Sequence, residues 1–317
     1  MSSSSGSFVE ATLDDLMRAA IDAVWASGSE IAPTKGPARD LTGVRLELTN
    51  PLARLSRSEA RGRIFSSLGE LCWYLSGSNQ VDQISYYISR YAEYDEDGLV
   101  HGGYGPRLRG DGPGDQIGYV IAQLGSSRDS RKAVVQLFDR SDVLKPHLDV
   151  PCTCTLQFVV RDGALHLVTY MRSNDVHLGL PHDVFSFTMI QELVARTLGL
   201  PLGTYVHMAG SLHLYETDIA SAERFMDEGW QSTIAMPPMP EVDPWPSVDR
   251  LLDAEREFRK SVGPPERALL EPGYWKDLER ILAIFALIKR DRREDIPSIV
   301  QAFTSDVFGV FVADKLP

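Results

Sequence analysis

Asp162-Gly163 sits between two β-rich runs, residues 156–161 and 164–171. An Asp-Gly pair tolerates the positive φ angles that a tight hairpin turn demands, so this stretch predicts two antiparallel strands. A helical pattern follows over residues 184–198, with Val184, Phe187, Ile190, Val194 and Leu198 on its inward stripe and Gly199 as a natural stop. Residues 204–209 then alternate like a strand and lead into Leu212-His213-Leu214-Tyr215. The centre of the chain is therefore committed to strands and a helix packed together.

The flanks add elements of both kinds. Thr12 with Asp14 and Asp15 marks a helix start, and Leu13, Leu16 and Ala20 face inward until Gly28 and Ser29 end it. Residues 33–39 form a Pro/Gly/basic loop before a strand pattern at 44–48. Residues 58–75 read as a helix whose stripe is Ile64, Leu68, Leu71, Cys72 and Leu75, with Glu70 beside it. Residues 133–138 form an apolar strand, residues 236–246 a proline-rich surface crossing, and residues 275–290 an amphipathic helix. Asp183, just ahead of the 184–198 pattern, occupies a position where Asp is a favoured N-cap. There is no internal repeat and no clear two-domain boundary. Residues 1–10 are set apart as a disordered N-terminus, and residues 11–317 are expected to form one domain.

Composition narrows the function. A net charge of -12 argues against broad nucleic-acid or anionic-membrane binding, although a few arginines in a cleft suffice for a phosphate. The three cysteines, Cys72, Cys152 and Cys154, form neither a disulfide framework nor a CxxC zinc pair, so no metal is expected. No apolar run reaches membrane-span length, and the polar start lacks the core of a signal peptide. The expectation is a cytoplasmic protein with reduced thiols.

Between residues 149 and 215 the chain concentrates reactive groups: Pro151-Cys152-Thr153-Cys154, Arg172-Ser173-Asn174-Asp175, Leu178-Gly179-Leu180-Pro181-His182-Asp183, and His213-Leu214-Tyr215. Alternation alone does not choose between Cys152 and Cys154, because residues two apart on a strand face the same side. The combination resembles the thymidylate synthase family, whose signatures run P-C-H, Q-R-S-x-D, L-G-x-P-F-N and H-x-Y. The resemblance is strongest over 149–218 and fades over 236–317. It implies an α/β (α+β) single domain around a mixed, kinked β-sheet with flanking helices, dimerising sheet to sheet.

The resemblance also assigns roles. Cys152 is the nucleophile that adds to C6 of a pyrimidine nucleoside monophosphate and makes C5 nucleophilic. Arg172 lowers its pKa and holds phosphate beside Ser173. Gly179 lies at the base pocket, and His213 and Tyr215 bind the sugar. Glu70, within an E-L-x-W-like segment, holds a water at the base, and Tyr104, after Gly102-Gly103, aids proton removal at C5. Arg39 is the candidate for the family's phosphate-closing loop. Arg131 and Lys132 match a pair that reaches the partner's phosphate in a homodimer. Asp175 engages the folate pterin, the one-carbon donor being 5,10-methylenetetrahydrofolate.

Asp183 stands where thymidylate synthase has Asn, as in the CMP and dCMP hydroxymethylases of the family. A carboxylate accepts from the cytosine 4-amino group and repels uracil O4, and a mismatched buried polar pair costs about 1–3 kcal/mol. His182, where Phe is common, lies beside this pocket. No Trp lies between Trp73 and Trp230, whereas the family's methylating members shield their intermediate with one; Tyr86, Tyr87, Tyr91 and Tyr94 fill that region. The expectation is a cytidylate 5-hydroxymethylase. A thymidylate synthase or cytidylate C5-methylase is the alternative, and an inactive nucleotide- or RNA-binding relative is a third. Ribose and deoxyribose both fit, as do nucleoside-antibiotic synthesis and DNA modification. The closing C-terminal tail of the family has no counterpart in Asp314-Lys315-Leu316-Pro317.

Overall fold

The computed structural model describes residues 6–58, 61–110, 114–228, 234–261, 268 and 271–312. In chain order the first part holds β1 (Ser7–Glu10), α1 (Leu13–Ser27), β2 (Ser29–Ile31), β3 (Ala38–Leu48), β4 (Arg57–Ser58), β5 (Arg61–Gly62), α2 (Ile64–Leu75), α3 (Val81–Tyr87), α4 (Gly105–Leu108) and α5 (Gln116–Ser126). The middle holds β6 (Val134–Gln136), β7 (Thr153–Arg161), β8 (Ala164–Met171), β9 (Asn174–Asp175), α6 (Leu180–Leu198) and β10 (Leu202–Tyr215). Then come α7 (Ile219–Asp227), α8 (Trp245–Lys260), α9 (Tyr274–Lys289), α10 (Ile296–Gln301) and α11 (Gly309–Val312).

One mixed sheet runs β1-β3-β10-β8-β7-β6, with β2 on β3 and β9 on β10. The hairpin forms as the sequence predicts: Arg161 pairs with Ala164, and Asp162 and Gly163 turn at φ 51° and 75°. Register shifts between Thr153 and Thr155, and between Leu202 and Tyr205, kink the sheet where β7 begins and where β10 joins β8. Such bulges re-aim side chains, and the first lies next to Cys152.

Alternation gives the sheet two faces. Leu156, Phe158, Leu167, Met171 and Ala209 are buried under the helices. The opposite face carries Tyr170 and Met208, cross-strand neighbours that are 44% and 37% exposed. Within a single chain only one face of the sheet is covered.

Helix α6 is buried on nearly every side, and several of its polar groups are answered from within the domain, although Ser186 Oγ and Gln191 Oε1 have no partner among the described residues. Gln191 Nε2 donates to Leu165 O at 2.9 Å, and Glu192 accepts from Arg54 Nη2 at 2.6 Å and from Met239 N at 2.7 Å.

Several boundaries differ from expectation. Ser7–Glu10 is not disordered: it pairs in parallel with Arg45–Leu48, because an unpaired β3 edge offers its backbone groups. Residues 1–5 lie outside the described residues. Helix α2 begins at Ile64 rather than at residue 58, because Arg57–Ser58 and Arg61–Gly62 pair as a small hairpin. Asp183 does not cap α6. The helix starts earlier, with Gly179 as N-cap, so Asp183 falls within the first turn. In the proline-rich segment Met236 and Met239 are buried, because Met236 N donates to Leu52 O and Met239 N to Glu192.

The Arg54–Glu192 pair has both side chains 0% exposed, and removing one partner strands the other charge in the interior. Glu192→Ala is expected to lose about 3–5 kcal/mol in urea unfolding.

Candidate active site

The hairpin's open end gathers the site. Arg172 N donates to Cys152 O at 2.8 Å, tying the residue after β8 to the one before β7. Arg172 Nε donates to Pro151 O at 3.0 Å, and Nη2 lies 3.2 Å from Val150 O and 3.6 Å from Cys152 Sγ. The guanidinium is thus anchored to the loop that carries the thiol. Burial pushes the Cys152 thiol up; Arg172 and Lys35 pull it down, and Asp149 and Asp183 raise it again. The expected depression by Arg172 is real but outweighed, because burial disfavours the thiolate. Cys154 feels Arg172 but neither of those acids, and Cys72 is core.

Tyr104 O–H accepts from Thr153 N at 3.1 Å and from Thr153 Oγ1 at 3.0 Å, leaving its own proton to donate. Its ring lies on Tyr74 and Phe187. A Cβ at Gly102 would stand 2.2 Å from Asp149 Oδ2, so the backbone must pass bare beside that acid. The segment leading to Pro151 is held by His147 on Glu96 and by His101 on Asp142, the two rings stacked 3.3 Å apart.

Glu70 and Asp183 form the acidic floor. Glu70 is buried, and its pKa is raised to about 7: burial lifts it, while hydrogen bonds from Tyr91 and Tyr74 hold it down. Tyr91 O–H donates to Glu70 at 2.9 Å, and its ring meets Trp73 edge-on. Asp183 accepts from Asn174 Nδ2 at 2.7 Å. Its pKa is pushed well above the carboxylate range by burial and by Glu70, against the Asn174 hydrogen bond. This alters the expected repulsion of uracil O4, which requires an ionised carboxylate; burial favours the neutral acid. His182 bridges α2 and α6, with Nε2 2.9 Å from Ser66 Oγ.

The two-residue β9 (Asn174–Asp175) pairs with β10 beside the residues expected to bind the sugar. It places Asp175 opposite His213. Ser173 Oγ lies 3.5 Å from His213 Nδ1, and the Tyr215 ring packs against His213 at 4.8 Å. Burial lowers the His213 pKa. Asp175 Oδ1 accepts from His177 N and Leu178 N, both at 2.8 Å, fixing the turn into Gly179.

Three expected phosphate ligands stand apart from this cluster. Arg39 lies in β3, where Nη1 donates to Trp25 O at 2.6 Å, so the end of α1 occupies it. Lys35, earlier in the same loop, faces the site instead, with Nζ 5.1 Å from the Tyr94 ring centre. Burial disfavours its charge, but Tyr94, Cys152 and Asp149 outweigh that and raise its pKa. Arg131 and Lys132 are exposed beside β6, and Gln157 Nε2 donates to Arg131 O. Gln157 is five residues along β7 from Cys152, roughly 17 Å at strand rise, so neither cation reaches Cys152 within one chain.

Sequence reasoning missed Lys35, Asp149 and Asn174. The basic loop and the Ser173-Asn174-Asp175 run were visible, but nothing local distinguishes Lys35 from Arg39. Among the described residues no group of His, Cys, Asp and Glu is arranged to hold a metal ion. Nor is any helix there long and apolar enough to cross a membrane.

A mixed sheet, a buried central helix and a thiol beside an arginine and two buried acids define a class of protein. Residues 48–239, more than half of the chain, match the family described as "Thymidylate synthase", and the chain belongs to the thymidylate synthase family. It is 34% identical over 156 residues to a deoxyuridylate hydroxymethyltransferase of Pseudomonas phage M6, a match covering 48% of this chain and 44% of that relative. The chain thus aligns with less than half the length of that relative.

The Glu70–Tyr91 bond is open to direct test. A carbon-13 titration is expected to find Glu70 half-ionised at about pH 7. Tyr91→Phe removes a donor to the carboxylate, so the midpoint should move to higher pH. An unmoved midpoint would show that the bond is not made.

Proposed function

We propose that the protein is a pyrimidine-nucleotide 5-hydroxymethylase acting on CMP or dCMP. The observation that carries this reading is Asp183, buried beside Cys152 and Glu70, free of any capping role and held by a hydrogen bond from Asn174. A neutral carboxyl offers one donor and one acceptor, which matches the unprotonated N3 and the 4-amino group of cytosine.

Cys152 adds to C6, and the electron pair moves to C5. Methylenetetrahydrofolate, when bound, supplies the one-carbon unit. Asp175, with one oxygen fixed by turn amides, and the half-buried Arg63, whose charge interacts with Asp175, are suited to hold it. Tyr104, with a proton free to donate, lies beside the thiol to assist proton transfer at C5. Glu70, near half-ionised at neutrality, orients the water that becomes the hydroxyl. That water adds to the one-carbon unit only after the C5 proton is lost and the bond to the folate donor has broken; Cys152 then leaves C6 as the ring double bond re-forms, and no hydride is taken from the donor. The region in which methylating relatives carry a shielding indole holds Tyr86, Tyr87, Tyr91 and Tyr94 and no Trp, and Tyr91 reaches Glu70, which supports water rather than hydride as the final reactant. Arg172, Ser173 and Lys35 are placed for the phosphate, Gly179 for the base, and His213 and Tyr215 for the sugar.

Uridylate is the second reading. The relative's printed activity points to it, and a neutral Asp183 donates to O4 as readily as to N3 if its proton sits on the other oxygen. We also propose a homodimer closing over the exposed Tyr170–Met208 face. This arrangement gives Arg131 and Lys132, remote from their own Cys152, a partner's phosphate to bind.

Turnover with methylenetetrahydrofolate should convert a cytidylate to its 5-hydroxymethyl product with no dihydrofolate absorbance. A methyl product with dihydrofolate would overturn the assignment to water, and turnover of uridylates alone would overturn the base. Lys35→Ala should raise the nucleotide KM roughly tenfold to a hundredfold, the worth of a charge-assisted hydrogen bond. Arg39→Ala should leave the KM near wild type.

A further inference from the structure

Asn174 has no role in the mechanism above, yet it makes the one protein hydrogen bond described for the Asp183 carboxyl. Its backbone is fixed by pairing with Leu212 of β10. Its side chain is hemmed against the start of α6, since a Cβ at Gly179 would come within 3.2 Å of Asn174 Nδ2. The residue is 3% exposed, and its Oδ1 is buried with no protein partner among the described residues. A buried amide held this tightly, with one end on a carboxyl and the other unpaired, is costly unless it serves a ligand.

A neutral carboxyl can carry its proton on either oxygen. One arrangement fits an amino group at C4 of a pyrimidine beside a bare N3; the reversed arrangement fits an oxo group beside N3–H. An acid free to choose accepts both bases. Nδ2–H bonds more strongly to a carbonyl oxygen than to a hydroxyl oxygen, so the oxygen it touches, Oδ2, is favoured as the carbonyl and the proton is favoured on Oδ1.

We propose that Asn174 sets the donor–acceptor polarity of the Asp183 carboxyl, and that this is how the pocket tells a 4-amino from a 4-oxo pyrimidine nucleotide. The proposal rests on the pyrimidine-nucleotide reading but not on which base is preferred. Asn174 is then a positioning residue. The groups around Asp183 are Glu70 and Tyr74 of α2, Asp175 of β9, Tyr205 of β10, Tyr104 and Cys152. Among the groups acting on Asp183, Asn174 favours its ionised form, whereas Glu70 and Asp175 oppose it.

The test measures kcat/KM for CMP, dCMP, UMP and dUMP in the wild type, Asn174→Ala and the near-isosteric Asn174→Leu, with melting temperatures as a check on folding. The wild-type ratio between cytosine and uracil substrates should fall by about tenfold or more in the variants, the effect of one buried hydrogen bond. The pH limb belonging to Asp183 should also move to higher pH, because the carboxylate has lost a donor. Folded variants that keep both the ratio and the limb would overturn the proposal, as would a wild type that does not discriminate. A wild type that turns over none of the four nucleotides would instead overturn the function proposed for the site. Should neither variant fold, the side-chain amide of Asn174 in the nitrogen-15-labelled wild type carries the test. Slow hydrogen exchange with CMP bound is expected; exchange as fast as that of an exposed asparagine would overturn the role.

Discussion

The packing of α6 against the inner face of the sheet is the constraint on which the rest depends. On a helix buried on nearly all sides, each polar group that the interior leaves unpaired costs about 1–3 kcal/mol. Here Gln191 reaches sheet carbonyls, and Glu192 takes Arg54 and the Met239 amide. These bonds leave α6 little freedom to slide or rotate. The first turn, which holds Asp183, is therefore placed by the whole domain rather than by its own loop.

That rigidity has an electrostatic consequence. Glu70 on α2 and Asp183 on α6 are brought together in a buried floor, where each charge is expensive and Glu70 raises the proton affinity of Asp183. Tyr91 and Asn174 oppose that trend at one acid each. Burial lifts both carboxyls, Glu70 to about 7 and Asp183 well above the carboxylate range, against hydrogen bonds from Tyr91 and Tyr74 at the first and from Asn174 at the second. Around Cys152 the same competition plays out among burial, Arg172, Lys35, Asp149 and Asp183.

Much of the fold was legible in the chain. The Asp162-Gly163 turn, the Thr12 cap of α1 and the Gly199 stop of α6 are local signals, and all three are realised. The long-range pairings were not legible. Ser7–Glu10 is a strand only because β3 offers an edge 38 residues away in sequence. The N-cap position suggested for Asp183 is not realised for a related reason. An Asp ahead of an apolar periodic run looks like a cap, but Leu178-Gly179-Leu180-Pro181 already turns into the helix, so α6 starts at Leu180.

Sequence alone determined which reactive groups are present: a thiol after a proline, an arginine and an aspartate on the return of a hairpin, and an aspartate just ahead of an apolar helical run. These follow from residue type and short spacing, which the chain states directly. Tertiary structure decided which groups meet and in what state. It turned Lys35 rather than Arg39 toward the thiol, set Tyr91 on Glu70 and Asn174 on Asp183, and left Arg131 and Lys132 at the far end of β7. Proton affinities and partnerships depend on burial and on distances across the sheet, and those exist only once segments remote in sequence are packed together.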